Sequence, residues 1–413
     1  MIVRALLGAV LLLVGVSHAR AEGWTYGNVN IGYEGYGDFR LVVPSDQTTW
    51  IDGGLGKLRY GETGQDPQIR LSEVFGQVHA QIGGEFLAMV AVRAETPQQD
   101  TLFDVTEAFV RYRPVSTSPF RWSVRAGIFF APISLENNEI GWQSPWTLTW
   151  SAINTWVGDE LRTLGAEGRM EWRTDTRVLS AFASVYGWND PTGILLADRG
   201  WAFHDWVTGM QHRPRLPDVF ARGRRMPIPS RTFEFIEIDS RAGWYAGAVW
   251  DEIGLGALEF LYYDNETDPA ATRMQTAWRT DFWSFGGRTH WGPFTFLAQA
   301  MWGDTFFQPS ATFWANTYFE SVYGLVGWEA GDWRLAGRFD VFTTTETRSR
   351  VTAIYLSEHG HSFTLAANCL PNDWMRVTAE WIQVDSTRRQ RTLDGLESEQ
   401  IENMFQLSAK LFF

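Results

Sequence analysis

Taken in steps of two from the C-terminus, Phe413, Leu411, Ala409, Leu407 and Phe405 form an unbroken apolar set. The residues between them, Phe412, Lys410, Ser408, Gln406 and Met404, are mixed and mostly polar. A strand sends successive side chains to opposite faces, so this segment has one apolar face. A strand of about ten residues with one apolar face is what a tilted membrane-spanning strand requires. The alternative is the last strand of a soluble sheet, and the rest of the chain decides between them.

The pattern recurs. Phe120, Trp122, Val124, Ala126, Ile128 and Phe130 share a face opposite Arg121, Ser123 and Arg125. Ala242, Trp244, Ala246, Ala248 and Trp250 alternate with Arg241, Gly243 and Tyr245, and Trp333, Leu335, Gly337, Phe339 and Val341 alternate with Arg334, Arg338 and Asp340. Windows of this kind, starting with Trp24 to Tyr33, predict an all-β chain of about 16 strands (18 possible). The expected connections are short at 83–84, 114–119, 173–177, 252–253, 288–292, 330–332 and 371–373. They are long near 41–68, 95–103, 131–160, 189–239, 265–277, 304–316, 344–359 and 387–400. Outer-membrane barrels have short periplasmic turns and longer external loops, whereas a soluble sandwich has no reason to alternate them. The expectation is a transmembrane antiparallel β-barrel closed by its first and last strands, since an open sheet edge in lipid leaves backbone groups unpaired. Residues 22–413 read as one barrel domain, with the longest loops near 131–160 and 189–239 and no separate plug.

The N-terminus agrees. Arg4 precedes an apolar run from Ala5 to Val16 and an Ala19-Arg20-Ala21 site, so residues 1–21 read as a secretory signal peptide cleaved after Ala21. Its removal takes Arg4 and Arg20 with it, moving the formal charge from −13 to −15. A strongly acidic exported chain is a poor partner for nucleic acid. Aromatic residues make up 15 %, including 22 Trp and 28 Phe, yet mean hydropathy is negative. No long apolar window follows the signal, which excludes helical membrane spans. The single cysteine, Cys369, cannot form an internal disulfide and reads as a small buried hydrophobe.

Chemistry concentrates in arginine, because Lys57 and Lys410 are the only lysines. Arg111, Arg113, Arg121, Arg125, Arg169, Arg241, Arg334 and Arg338 lie opposite apolar faces, and a charge facing lipid at mid-membrane costs about 2–4 kcal/mol. They are therefore expected to line the lumen. There they either favour anions, guanidinium being a permanent planar donor, or pair with carboxylates such as Glu107, Glu167 and Glu171. The loop from Gln211 to Arg231 adds Arg213, Arg215, Arg222, Arg224, Arg225 and Arg231 against Asp218 alone. It either folds inward as a constriction or binds lipopolysaccharide phosphates outside. Trp142, Trp146, Trp150 and Trp156 either stack on sugars or pack the 131–160 loop. No nucleophile motif, metal-ligand spacing or phosphate-cradling loop is present, so no enzyme activity, metal or cofactor is expected.

Arg125-Ala-Gly-Ile-Phe-Phe-Ala-Pro132, followed by Ile-Ser-Leu-Glu136-Asn-Asn, resembles the porin O/P (phosphate-selective porin) superfamily. The run from Gly360-His-Ser-Phe-Thr-Leu-Ala through Val377-Thr-Ala-Glu380-Trp to Phe413 is similar to these porins as well, as is its terminal aromatic to bacterial outer-membrane barrels. The resemblance implies a 16-stranded trimeric channel in a Gram-negative outer membrane, with an inward loop after Pro132. It does not carry over phosphate selectivity, since those channels add lysine clusters to their arginine ladders. The expected function is passive diffusion of small hydrophilic solutes with a lean toward anions. The alternative is a non-conducting surface barrel whose loops bind lipopolysaccharide or a partner.

Overall fold

Every barrel strand is hydrogen-bonded on both edges, which removes the unpaired edge that lipid would not tolerate. The structure, a computed structural model, describes residues 22–62, 66–96, 101–218, 230–349 and 356–413. A short β1 (Glu22–Tyr26) precedes the sixteen strands of the barrel. These are β2 (Val29–Val43), β3 (Gln68–Ile82), β4 (Phe86–Glu95), β5 (Asp104–Tyr112), β6 (Phe120–Phe129), β7 (Thr163–Arg173), β8 (Arg177–Gly187) and β9 (Gly243–Glu252). They continue as β10 (Gly256–Asp264), β11 (Arg279–Trp291), β12 (Phe294–Ser310), β13 (Phe313–Ala330), β14 (Trp333–Arg348), β15 (Glu358–Asn372), β16 (Met375–Arg388) and β17 (Glu399–Phe412). All pair antiparallel in sequence order, and β17 closes the ring on β2, from Phe405 opposite Val43 to Phe412 opposite Tyr36.

The expected first strand, Trp24–Tyr33, is instead a hairpin. Gly27, at φ 62°, reverses the chain between β1 and β2. β1 occupies the edge of β2 beyond the end of β17, with Glu22 opposite Tyr33, while Gly35 exchanges backbone hydrogen bonds with Phe413. The two chain ends thus meet along one seam.

The long loop expected at 304–316 is absent as well. β12 and β13 run on to a tight turn between Ser310 and Phe313, across which the Phe307 and Phe313 rings meet edge-on at 5.6 Å. Cross-strand aromatic pairs of this kind stabilise a hairpin and here extend it past the point where simple alternation stops.

The outer face follows the alternation. Val322, Phe339, Leu365, Phe405 and Leu407 are exposed, ready for lipid. Aromatic residues mark both edges of this band, as interfaces favour. Trp244, Tyr262 and Trp283 are in ring contact toward the long-loop end, and Phe86, Tyr112 and Trp122 toward the short-turn end. Cys369, expected to be buried, is partly exposed on this outer face, because it keeps the parity of Phe363 and Leu365. Among the described residues no helix is long and apolar enough to cross a membrane.

The core lies inside the ring. Wall residues Val42, Phe182, Tyr245, Phe282, Phe319, Phe342, Ile382 and Met404 form one buried apolar cluster with loop residues Leu58, Trp150, Trp156, Trp201 and Phe203. The loops after β2, β6 and β8 fold into the lumen, and the last two carry helices α1 (Ala152–Glu160) and α2 (Ile194–Arg199). Every residue of α1 is buried. The barrel is therefore filled by the chain's own loops.

Candidate functional site: the barrel lumen

Two different surfaces line the lumen. The first, on β14–β17 and β2, is covered by the inserted loops and built to hold them. Arg338 is fully buried, and its Nη1 donates to Glu136 Oε1 at 2.7 Å and to the Thr149 carbonyl at 2.7 Å. Its Nη2 donates to the Trp150 carbonyl at 2.9 Å, while Nε pairs with Asp340 Oδ2 at 2.9 Å. From the next strand but one, Glu380 accepts the amide hydrogens of Leu148 (2.6 Å) and Thr149 (3.0 Å). Asp340 accepts that of Ala152 at 3.2 Å, and Ser151 caps α1 by accepting from Asn154 N. A loop cannot enter a closed barrel with bare backbone groups, since an unpaired buried polar group costs on the order of 1–3 kcal/mol. The inward charges of the wall supply those partners.

The loops after β2 and β8 are held in the same way. Asp205 lies between Arg40, its close partner, and Arg59, whose Nη1 donates to it at 2.7 Å. Burial alone would raise the Asp205 carboxyl, but the two guanidiniums overcome it and hold the group far below the usual carboxylate range. Lys57 is buried against Glu358, and burial pushes its ammonium down to about 7 against that carboxylate's opposing pull. Glu358 also accepts from Trp201 N at 3.1 Å, and Arg388 donates to the Asp198 carbonyl at 2.9 Å. Arg162, just ahead of β7, donates to the Thr208 carbonyl at 2.6 Å with its guanidinium 3.8 Å from the Phe130 ring centroid. Burial lowers it to about 9. Trp142, at φ 57°, stacks on Phe130 at 4.3 Å, while Trp146, Trp150 and Trp156 are buried. The tryptophans of this loop pack it.

The second surface lies on β5–β7 toward the short turns, and it is basic. Arg111 is in register with Arg125, Arg169 with Ser123, and Arg121 with Glu171. Arg125 pairs with Glu167 at 2.9 Å, and Arg173 takes Glu171 at 2.5 Å. Arg111, Arg121 and Arg169 have no carboxylate partner among the described residues, and Arg169 lies over the Phe182 ring at 4.8 Å. Arg113 sits exposed just past the end of β5.

The arginines singled out from the sequence therefore separate. Arg111, Arg121, Arg125 and Arg169 come together on one wall. Arg338 anchors a loop, and Arg334 pairs with Glu139 at 3.5 Å and Glu329 at 3.1 Å. Arg241 precedes β9 at the exposed long-loop end, beside Asp268 at 3.3 Å. Arg213 lies over Phe233 at 4.1 Å and Arg215 pairs with Asp218 at 3.0 Å. Arg222, Arg224 and Arg225 lie outside the described residues. In the 189–239 loop it is the stretch from Asn189 to Thr208, ahead of the basic segment, that is buried in the lumen. Sequence reasoning missed Arg40, Arg59, Arg93, Arg162, Arg388 and Lys57 as lumenal groups. For Arg40, Arg93, Arg162 and Arg388 the signal was a charge within a strand or strand flank whose neighbours alternate weakly; Lys57 and Arg59 lie in the loop after β2, outside any strand pattern.

The ring of strands, the lipid-ready outer face and the loop-filled lumen define a transmembrane β-barrel of the outer-membrane type. No protein-family model matches the chain and no curated protein matches it. Solved structures do. The outer membrane channel DcaP of Acinetobacter baumannii aligns at TM-score 0.55 and 10% identity, over 95% of this chain and 100% of that one. OmpF of Salmonella typhi, in complex with daunomycin, aligns at 0.53 and 11% over 95% and 100%. OmpT, an outer membrane protein of Vibrio cholerae, aligns in a trimer form at 0.51 and 11% over 93% and 99%. Identities this low establish the fold, and they do not single out the porin O/P superfamily.

Proposed function

We propose that this chain is an outer-membrane channel for small hydrophilic solutes that prefers anions and is narrowed by its own loops. The observation that carries the reading is the cluster Arg111, Arg121 and Arg169, three lumenal guanidiniums that form no ion pair with a carboxylate among the described residues. Unneutralised guanidinium in a confined lumen attracts anions and disfavours cations. The signal peptide of residues 1–21, the outer-membrane location, a homotrimeric assembly and the lack of enzymatic activity belong to the same reading, supported by the export signal, the barrel and the trimeric form of a structural neighbour. Recording in planar bilayers under a salt gradient tests it. The expected reversal potential is anion-selective, and the triple variant Arg111→Gln/Arg121→Gln/Arg169→Gln should move it toward cations. A cation-selective wild type sinks the anion preference.

The apolar cluster inside the ring favours one second reading, a non-conducting barrel whose outer loops bind lipopolysaccharide or a protein partner. Folded, reconstituted protein that passes no current under any condition would select it.

A further inference from the structure

Two inserted segments present carboxyl groups to each other. Glu160 ends α1, and Glu234 lies on the return limb of the loop between β8 and β9; both are buried. Glu160 is well supplied with donors. Its Oε1 accepts from Gly193 N at 3.0 Å and Leu195 N at 2.9 Å, and its Oε2 from Leu196 N at 3.3 Å and from the Trp156 indole. Glu234 is the opposite case. Its side chain meets Glu160, with the Thr232 hydroxyl as the one neighbouring donor, and neither of its oxygens accepts a well-formed hydrogen bond among the described residues. The neighbouring Thr232 hydroxyl gives its hydrogen to Gln275 Oε1 at 3.2 Å. A buried anion in that position would face another carboxylate with only the shared Thr232 hydroxyl to compensate it. Two carboxyls in contact cannot both ionise without large repulsion. Glu160 has the N–H groups that suit an anion, so the shared proton belongs on Glu234.

The charged groups around the pair are Asp159 beside Glu160 on α1 and Arg199 at the end of α2. Asp159 is itself neutralised, by Arg199 at 2.5 Å and by hydrogen bonding to His204 Nε2 at 3.1 Å. Burial first, then the Glu160 charge, push Glu234 well above the usual carboxylate range, and burial pushes Glu160 up to about 7.

We propose that Glu234 and Glu160 are a proton-held latch on the lumenal plug. Glu234 donates its proton to Glu160 and ties the return limb to α1 and α2. Loss of that proton to water sets two carboxylates against each other and frees the loops. Because the latched state binds the proton more tightly than a free carboxyl does, the latch is strongest below the ordinary value of about 4.3. Above it, each pH unit weakens the latch by up to about tenfold until the pair itself ionises. The plug is therefore held in acid and released toward alkaline pH. The effect on current rests on the channel reading; the latch itself does not.

Two measurements on the full reconstituted chain separate those claims. Difference infrared spectroscopy should find a protonated-carboxyl carbonyl band that survives to neutral pH in wild type. The band should be lost in Glu234→Gln, whose amide still donates to Glu160. In bilayers, wild-type current should rise severalfold from about pH 5 to about pH 9, with Glu234→Gln low and flat. A wild type without the band at neutral pH overturns the latch, whatever the current does. A band that behaves as expected in a barrel that never conducts upholds the latch and overturns the channel. The same pH profile in wild type and Glu234→Gln overturns the gating role.

Discussion

Asp205 neutralises two buried lumenal charges at once, Arg40 and Arg59. Its replacement by Asn keeps the shape and removes the charge, leaving two buried guanidiniums short of a partner. Breaking a buried pair in this way costs about 3–5 kcal/mol, which denaturant unfolding of the reconstituted barrel should register for Asp205→Asn. The pH dependence follows from the depressed carboxyl. A folded-state value below the free one contributes stability that is complete above the ordinary carboxylate value of about 3.9 and is lost as pH falls beneath it. The gap between wild type and Asp205→Asn should therefore be full at neutral pH and shrink in acid. A gap that is constant with pH would count against charge pairing as its origin. Residues such as Arg338 and Arg111 show why roles were harder to read than faces. Alternation places both inward, and both do point inward. Arg338 meets Asp340, two residues on along the same face, but its role as a loop anchor depends on Glu136, some two hundred residues away in the chain, and no local pattern carries that part.

The elements were legible in proportion to their periodicity. β6, β14 and β17 present the faces that period-two patterning predicts, because each strand is apolar toward lipid and polar inward. The β12–β13 hairpin escaped because aromatic pairs prolong it where alternation has ended. The inserted loops escaped for a different reason. Their buried backbone is satisfied by distant wall side chains, so they need neither helical nor strand spacing. Gly200 illustrates how tightly such a loop is fitted. It ends α2 at φ 79°, with the Glu358 carboxylate and Arg388 guanidinium where a Cβ would stand. Gly200→Ala should strain the backbone and displace Glu358 from Trp201 N and Lys57 together. Forcing a non-glycine residue into this conformation costs on the order of 1–3 kcal/mol. The expected outcome is faster proteolytic cleavage within 189–208 while the strands stay protected. Unchanged cleavage would mean that the loop absorbs the extra methyl group by shifting.

At the scale of the whole molecule, the wall and its contents are held by separable sets of interactions. The ring has its own backbone hydrogen bonds, strand to strand, and it closes without help from the loops. The plug is layered. The loop after β6 is bound to Gln299, Arg338 and Glu380 on the wall. The loop after β8 is bound to Thr280, Glu358 and Arg388. Only the second layer contains Glu234, and the two layers meet at Glu160. Replacing residues 190–239 with a short Gly/Ser linker should therefore leave the barrel folded, with its slower-unfolding mobility on gels retained, but remove one layer only. The 131–160 layer keeps its anchors on Arg338 and Glu380, so conductance should rise modestly. Shortening 131–160 alone should likewise leave the other layer seated on Glu358. Shortening both should raise conductance severalfold, by more than the two single effects combined, because only then does the apolar cluster keep nothing but Leu58 and Tyr60 of the loop after β2 against the wall. Single-channel recording on the three variants distinguishes this from a plug in which one loop seals the lumen by itself, where one deletion would give the full increase and the second would add nothing.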